Sequence, residues 1–210
     1  KSLKLNKDLD RYVEQALEQG RPVKIGWGRA GDERPKDGEF GVMTHLPEGA
    51  RVLCLGDLGA CVGAANRGGT LTLRGGAGSM FGAFHVSGKT VVEKDVGDKV
   101  GFEMIGGEIS IQGSAGDEAG AAMSGGILLV RGHAGDRLGS GMSGGTVVVM
   151  GSVGSEPGIG MAGGKIVISG SCPPPPDGVE MRSINKSEIS KFSKLLDPMG
   201  LSVNEDALVL

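Results

Sequence analysis

"GDEAGAAMSGGILLVRGHAGDRLGSGMSGGTVVV", residues 116–149, is nearly one phrase written twice. Its Gly-Asp step serves as a ruler for the rest of the chain. Gly59, Gly78, Gly97, Gly116, Gly135 and Gly154 stand 19 residues apart. Gly63, Gly82, Gly101, Gly120, Gly139 and Gly158 keep the same step, as do Gly69, Gly88, Gly107, Gly126, Gly145 and Gly164. Three glycine series stay in register over six copies, with no insertion or deletion from about Gly56 to Gly170. A fixed period of this length marks a repeat architecture.

Apolar positions share the period. Two residues past the third glycine series lie Leu71, Thr90, Ile109, Leu128, Val147 and Ile166; four past it lie Leu73, Val92, Ile111, Val130, Val149 and Ile168. The residue between them breaks the apolar pattern in copies such as "EISIQG", the period-2 signature of a strand with one buried face. Leu58, Ala77, Val96, Ala115, Ala134 and Val153 form a third apolar column. Val62, Phe81, Val100, Ala119, Leu138 and Pro157 form a fourth. Nineteen residues hold a short strand, two glycine-marked corners and a return path. One copy cannot bury its apolar face alone, but stacked copies can. The expected fold is mainly β: a single-domain right-handed parallel β-helix of six 19-residue coils, with short helical caps at both ends. Coils about 4.8 Å apart would build a prism roughly 25–30 Å tall. Glycine is expected at its corners, where φ is positive or backbones crowd.

Two more columns bear on the surface and the interior. Lys99, Glu118, Arg137 and Glu156 alternate in sign, which suits an outward stack of opposite charges. Asn66, His85, Met104, Met123, Met142 and Met161 form the other column. Its methionines suit an irregular interior edge, with a soft surface for a partner as the alternative.

The flanks differ in kind. Residues 1–55 read as an N-terminal cap, 56–170 as the β-helix repeats, and 171–210 as a Pro-rich linker and C-terminal helix on the same domain. Asn6 is placed to cap a helix with the apolar face Leu9, Val13, Ala16 and Leu17, and Gly20 suits its C-terminal end. "RPVKIGW" reads as a strand and "GRAGDERPKDGEFG" as a polar loop. "GVMTHL" and "RVLCLG" lead toward the first coil. "CPPPP" (172–176) cannot continue a strand ladder. "NKSEISKFSKLLDPMG" puts Ile189, Phe192, Leu195 and Leu196 on one helical face stopped by Pro198, and the apolar tail "ALVL" is expected to dock.

Composition narrows the function. A net charge of −3, with Lys and Arg scattered along the chain, argues against nucleic acid. No run approaches the roughly 20 apolar residues of a membrane span, and the N-terminal stretch has no signal-peptide core. Cys54, Cys61 and Cys172 form no C-x-x-C pair, so they read as reduced thiols of a cytoplasmic protein.

Few residues carry chemistry. His45, His85 and His133 fit no metal-ligand spacing, and His85, in the methionine column, reads as a core histidine. Cys61 and His85 lie in different columns, which disfavours a Cys–His nucleophile. Asp98, Asp117 and Asp136 occupy consecutive coils. Stacked carboxylates can bind Ca²⁺ or cleave sugars, but an Asp after glycine also accepts hydrogen bonds from its own turn. Ser79 and Ser155 stand in the same column without charge, which favours the turn role. "GDERPKDG" and "GGAGSMFG" are weak matches to phosphate and dinucleotide loops. No catalytic, cofactor-binding or metal residue is assigned.

The phrase G-x-A-G-D-x-x-G-x-x-M-x-G-G-x-I-x-V, clearest in "GSAGDEAGAAMSGGILLV" and "GHAGDRLGSGMSGGTVVV", resembles the G-x-G-x-G family over residues 56–170. That family includes the C-terminal β-helix domain of the glutamate synthase large subunit and the β-helical structural subunit of formylmethanofuran dehydrogenase. The resemblance implies a non-catalytic structural subunit of an oxidoreductase complex, itself without cofactor. Partners would carry FMN and iron–sulfur, or a tungsten or molybdenum pterin. The short flanks favour the glutamate-synthase-like type. A β-helix enzyme acting on acidic polysaccharide through the Asp column is the rival. A left-handed hexapeptide acyltransferase would have coils of 18, out of step with 19. A homo-oligomer is compatible with all of these.

Overall fold

The structure, a computed structural model, describes residues 11–26, 40–197 and 200–210. Ten strands form one sheet in the order β1-β2-β3-β4-β5-β6-β7-β8-β10-β9. They are β1 (Val23–Ile25), β2 (Arg51–Leu55), β3 (Arg67–Arg74), β4 (Ser87–Val92), β5 (Glu108–Ile111), β6 (Ser124–Val130), β7 (Ser143–Val149), β8 (Gly163–Ile168), β9 (Arg182–Ser183) and β10 (Leu208–Val209). From β2 to β8 every strand pairs in parallel with the next, and Val52, Leu71, Thr90, Ile109, Leu128, Val147 and Ile166 follow one another across the ladder. Each step is 19 residues, so the chain is a β-solenoid of about six turns. The ladder opens upstream of Gly56, at β2, and β1 adds a further parallel strand through Val23 opposite Val52. On the far side of each coil the column Leu58, Ala77, Val96, Ala115, Ala134 and Val153 forms single-residue parallel bridges.

Alternation decides what lies inside. The columns beginning at Val52 and Cys54 are sealed from solvent in every coil, Thr90 included. They meet Val62, Phe81, Val100, Ala119 and Leu138 across the interior. Each fully buried Leu, Ile or Val contributes about 1.5–3 kcal/mol, and their identical spacing lets aliphatic side chains stand in for the missing aromatics.

The corners divide by direction. Gly63, Gly82, Gly101, Gly120, Gly139 and Gly158 have φ between +62° and +74°. A Cβ at Gly120 would come within 2.9 Å of Val147 and 3.0 Å of the Met123 sulfur, so this corner turns inward and tolerates no side chain. Cys61, Met80, Lys99, Glu118, Arg137 and Glu156 also take left-handed φ, between +53° and +60°, without being glycine. Their conformation is over-determined by bonds between coils, such as Lys99 N–H to Asp117 O at 2.7 Å and Glu118 N–H to Asp136 O at 2.8 Å. A left-handed residue costs about 1–2 kcal/mol, which the repeated hydrogen bonds made by the first five of them, Cys61 to Arg137, offset. Glycine is thus required where a side chain would enter the interior, and dispensable where it leaves.

The ends are closed differently. Helix α1, described over residues 11–18, lays Val13 and Leu17 on the N-terminal end of the core. It stops at Gly20 (φ +61°), with Arg21 N–H returning to the Ala16 carbonyl at 2.8 Å. Asn6, Leu9, Trp27, the loop 28–39 and Pro198 lie outside the described residues. At the other end β10 pairs antiparallel with β8, Leu208 opposite Ile168, and closes its edge. Helix α2 (Lys186–Leu196) lies on the outer face of the last coils instead of across their open end. There Phe192 and Leu196 cover Leu129, Val148 and Val167. The equivalent outward positions upstream are Leu53, Thr72, Val91 and Ser110, so polar residues enter this column only where the helix does not cover it.

Helix α2 is held by one carboxylate. Asn185 and Glu188 form a reciprocal capping box, and Glu188 also takes a bidentate grip from Arg182 at 2.8 Å twice and a bond from Lys165 of β8. Arg182 and then Lys165 hold the Glu188 carboxyl far below the usual carboxylate range. A group with a depressed folded pKa contributes above its unfolded value, about 4.3, and that stability is lost as pH falls below it. Glu188→Ala is expected to cost about 1–2 kcal/mol. Amide exchange should rise in residues 182–210, with the coils unaffected.

Candidate functional site

The stacked carboxylates are the first candidate, and their geometry assigns them a task. Asp98 Oδ1 accepts the N–H of Asp117 at 2.9 Å, Asp117 Oδ1 that of Asp136 at 2.8 Å, and Asp136 Oδ1 that of Ser155 at 2.7 Å. The recipient is the next coil, 19 residues on, and not the residue's own turn as expected from the sequence. The preceding glycine makes this reach geometrically feasible. A Cβ at Gly116, Gly135 or Gly154 would overlap the Oδ1 of Asp98, Asp117 or Asp136. These glycines lack positive φ, so close approach is what they provide. The Gly-Asp pair is one device: glycine opens a slot, and the carboxylate of the coil below fills it.

A second ladder follows the same rule. Asp57 Oδ1 caps Gly76 N–H at 2.7 Å, and Asp95 Oδ1 caps Ser114 N–H at 2.7 Å. Ser114 Oγ caps His133 N–H at 3.1 Å, His133 Nδ1 caps Ser152 N–H at 3.0 Å, and Ser152 Oγ caps Ser171 N–H at 3.2 Å. Sequence reasoning missed this column. The signal was present, since a Ser or His follows glycine every 19 residues at Ser114, His133, Ser152 and Ser171.

The electrostatics fit capping. The bond from Ser155 N–H, then the Ser155 hydroxyl and Arg137, hold the Asp136 carboxyl below its ordinary value. A glycosidase acid needs the opposite shift. Beside it, Glu118 bridges Lys99 at 3.4 Å and Arg137 at 2.6 Å, the alternating stack the sequence implies. Asp117→Ala is expected to cost about 0.5–1.5 kcal/mol, as for loss of a helix cap. Asp117→Asn keeps an acceptor oxygen and should be near neutral; thermal denaturation of the pair separates capping from any need for charge.

The other candidates are folded inward. Met104, Met123 and Met142 have no solvent exposure and Met161 packs partly against the core, so the column is interior filler and not a partner surface. Cys54 is buried. Burial also raises the Cys172 thiol, which donates to the Pro173 carbonyl. Cys61 sits at the outward corner. Both ring nitrogens of His85 are bonded elsewhere, Nδ1 to Gly106 O at 3.0 Å and Nε2 to Thr90 Oγ1 at 3.1 Å, so the two residues form no nucleophilic pair. His45 occupies a left-handed position (φ +57°) at the solenoid's N-terminal corner. Among the described residues, no three His, Cys, Asp or Glu side chains gather as metal ligands.

Part of the outward face is apolar. Phe84, Val86 and Ile105 are 43 %, 41 % and 57 % exposed on two adjacent coils. Phe84 meets Phe102 edge-to-face at 5.8 Å, and the Lys99 ammonium lies 5.9 Å from the Phe102 ring centre. Copies four to six carry Ala122, Gly141 and Gly160 in the Phe84 column, and Ser124, Ser143 and Ala162 in the column of Val86 and Ile105. A ridge thus stands beside a flat strip, a contrast visible only once the coils are stacked.

Among the described residues no helix is long and apolar enough to cross a membrane. No curated protein matches the chain. Residues 96–197 match the model of the GXGXG motif family, a stretch reaching from the third repeat through α2. The glycine ladders, the Gly-Asp caps and this match agree, and residues 96–197 of this β-solenoid are similar to the GXGXG motif family.

Proposed function

We propose that the chain is a non-catalytic structural domain or subunit of the glutamate-synthase-like type, setting the geometry between an amidotransferase and a synthase partner. One observation carries the reading: the aspartates, serines and histidine that the repeat aligns on its surface cap the next coil, and the charged column beside them pairs along the stack. A surface so committed supplies rigidity, which is what an element that orients catalytic partners needs. FMN and iron–sulfur belong, in this reading, to the partners, and the complex is cytoplasmic.

Reconstitution tests it. Mixing the purified chain with a separately expressed amidotransferase and FMN synthase should raise glutamine-dependent glutamate formation over the two enzymes alone. The chain by itself should show no glutaminase turnover and no flavin absorbance. Equal coupling without the chain, or turnover by the chain alone, would overturn the proposal.

A further inference from the structure

Asn66, His85 and Thr90 form a polar cluster inside the first coils, none of them with solvent exposure. Asn66 Oδ1 accepts the N–H groups of Gly68 at 3.2 Å and Gly69 at 2.9 Å, while its Nδ2 donates to the Gly69 carbonyl at 2.9 Å. These three bonds fix the orientation of the amide. His85 Nδ1 faces the Gly106 carbonyl, an acceptor only, so Nδ1 carries the proton. Nε2 then accepts, from Thr90 Oγ1 at 3.1 Å and from Asn66 Nδ2 at 3.3 Å. Every polar atom of the neutral ring is satisfied.

The cluster stands where the coil below is irregular. In later coils the N–H groups of Gly106, Gly125, Gly144 and Gly163 bond to the carbonyls of His85, Met104, Met123 and Met142. Below Gly68 the chain turns through Pro47, whose carbonyl is taken by Ala50 N–H at 3.1 Å. The Asn66 side chain replaces the missing acceptor. It thereby holds residues 67–69, the bulge where β3 shifts register against β4. That bulge grips the N-terminal segment through Arg67 N–H to Leu46 O at 2.9 Å and bridges from Pro47 to Arg67 and Gly68.

We propose that the cluster is an acid-responsive latch: with His85 neutral it keeps residues 41–55 docked on the first coil, and with His85 protonated it releases them. A proton on Nε2 points at Asn66 Nδ2, itself a donor, and leaves Thr90 Oγ1 as the one neighbour able to accept. Asn66 Nδ2 also reaches Thr90 Oγ1, at 3.3 Å, so that hydroxyl is left to serve two donors beside a buried charge, a crowding that turning the Asn66 amide over relieves. That presents its NH₂ to the Gly68 and Gly69 N–H groups and opens the bulge.

Among the described residues no charged group pairs with the ring, whose polar partners are Asn66, Thr90 and Gly106. Glu48 is the titratable residue on the segment across from Gly68, and it is exposed, as is His45. Lys89 and Glu108, next in the chain to Thr90 and Gly107, pair with each other at 2.7 Å on the outer face. Burial depresses the His85 pKa, against a smaller opposing effect of the Gly106 bond. With a folded pKa below the unfolded value of about 6.5, stability is full above that value and falls, by up to tenfold per pH unit, as pH drops toward the folded pKa.

Amide hydrogen exchange of the full chain between pH 7.5 and 5, corrected for intrinsic rates, is the test. Protection of residues 41–55 and 66–74 should fall by up to about tenfold per unit below roughly pH 6.5, while residues 143–168 keep theirs. The double variant His85→Met with Thr90→Ile copies Met104 and Ile109 of the next coil, retains Asn66, and should abolish the fall. The same pH dependence in the variant, or loss spread evenly along the chain, would overturn the latch. Should the variant not fold, nitrogen NMR of His85 in the unaltered chain decides. The Nδ1–H neutral ring must persist down to the pH where exchange rises; a ring titrating near 6.5 with exchange unchanged refutes the proposal.

Discussion

Gly88→Ala is expected to unfold the chain, or to lower its stability by more than about 4 kcal/mol. Two independent costs coincide at this residue. Its φ of +90° lies in the left-handed region. Its added Cβ would collide with the Gly69 carbonyl oxygen and lie 2.7 Å from Gly68 C and 2.9 Å from Gly69 N. All three atoms are backbone of the coil below, so no rotamer change makes room. Relief requires the coils to separate, and a rise fixed by hydrogen bonds on both sides cannot stretch at one point. Gly141→Ala is the matched control. Its φ is +65°, nothing lies within 4 Å, and its column already holds Ala65, Phe84, Glu103 and Ala122 at similar φ. It should cost about 1 kcal/mol. Urea denaturation of both variants measures the contrast, and similar losses would show that conformation, and not contact between coils, selects glycine here.

Asn66→Met should come second, at about 3–5 kcal/mol and a drop in Tm of roughly 10 °C. Methionine is the residue that four later copies carry in this column, so shape alone predicts tolerance. The hydrogen bonds predict otherwise. Removing the amide takes partners from the N–H groups of Gly68 and Gly69, the Gly69 carbonyl and His85 Nε2, buried at Gly69 and His85 and half-buried at Gly68. An orphaned buried group costs about 1–3 kcal/mol. The reverse exchange, Met123→Asn, would bury an amide where the Gly144 N–H already has the Met123 carbonyl, and should also destabilise. Thermal unfolding followed by circular dichroism tests both.

The solenoid itself was legible because period and alternation are linear signals: Leu71 to Ile166 predicted a shared interior, and the ladder from β3 to β8 places them there. The extra turn at β2 was hidden, since Val52 and Cys54 keep the 19-residue step while the segment before them does not. The tasks of the polar residues were harder to see. A reading along the chain attributes Asp117 to its nearest turn, whereas the coil above supplies the N–H. Asn66 looked like an outlier among methionines, and its purpose emerges only from the irregular chain beneath it. The exposed Phe84, Val86 and Ile105 were invisible for a related reason. Strand alternation says which side chains leave the core between Arg67 and Arg74, but says nothing of the corners.

The constant step from β2 to β8 has a bearing on how such a chain can change size. Adding or deleting a single residue between Arg51 and Ile168 would shift strands, caps and corner residues against their neighbours above and below at once. Removing one full set of nineteen would leave every column matched and shorten the prism by about 4.8 Å. Growth and loss in this molecule therefore come in whole storeys, and freedom to vary by one or two residues is confined to the segments outside the stack.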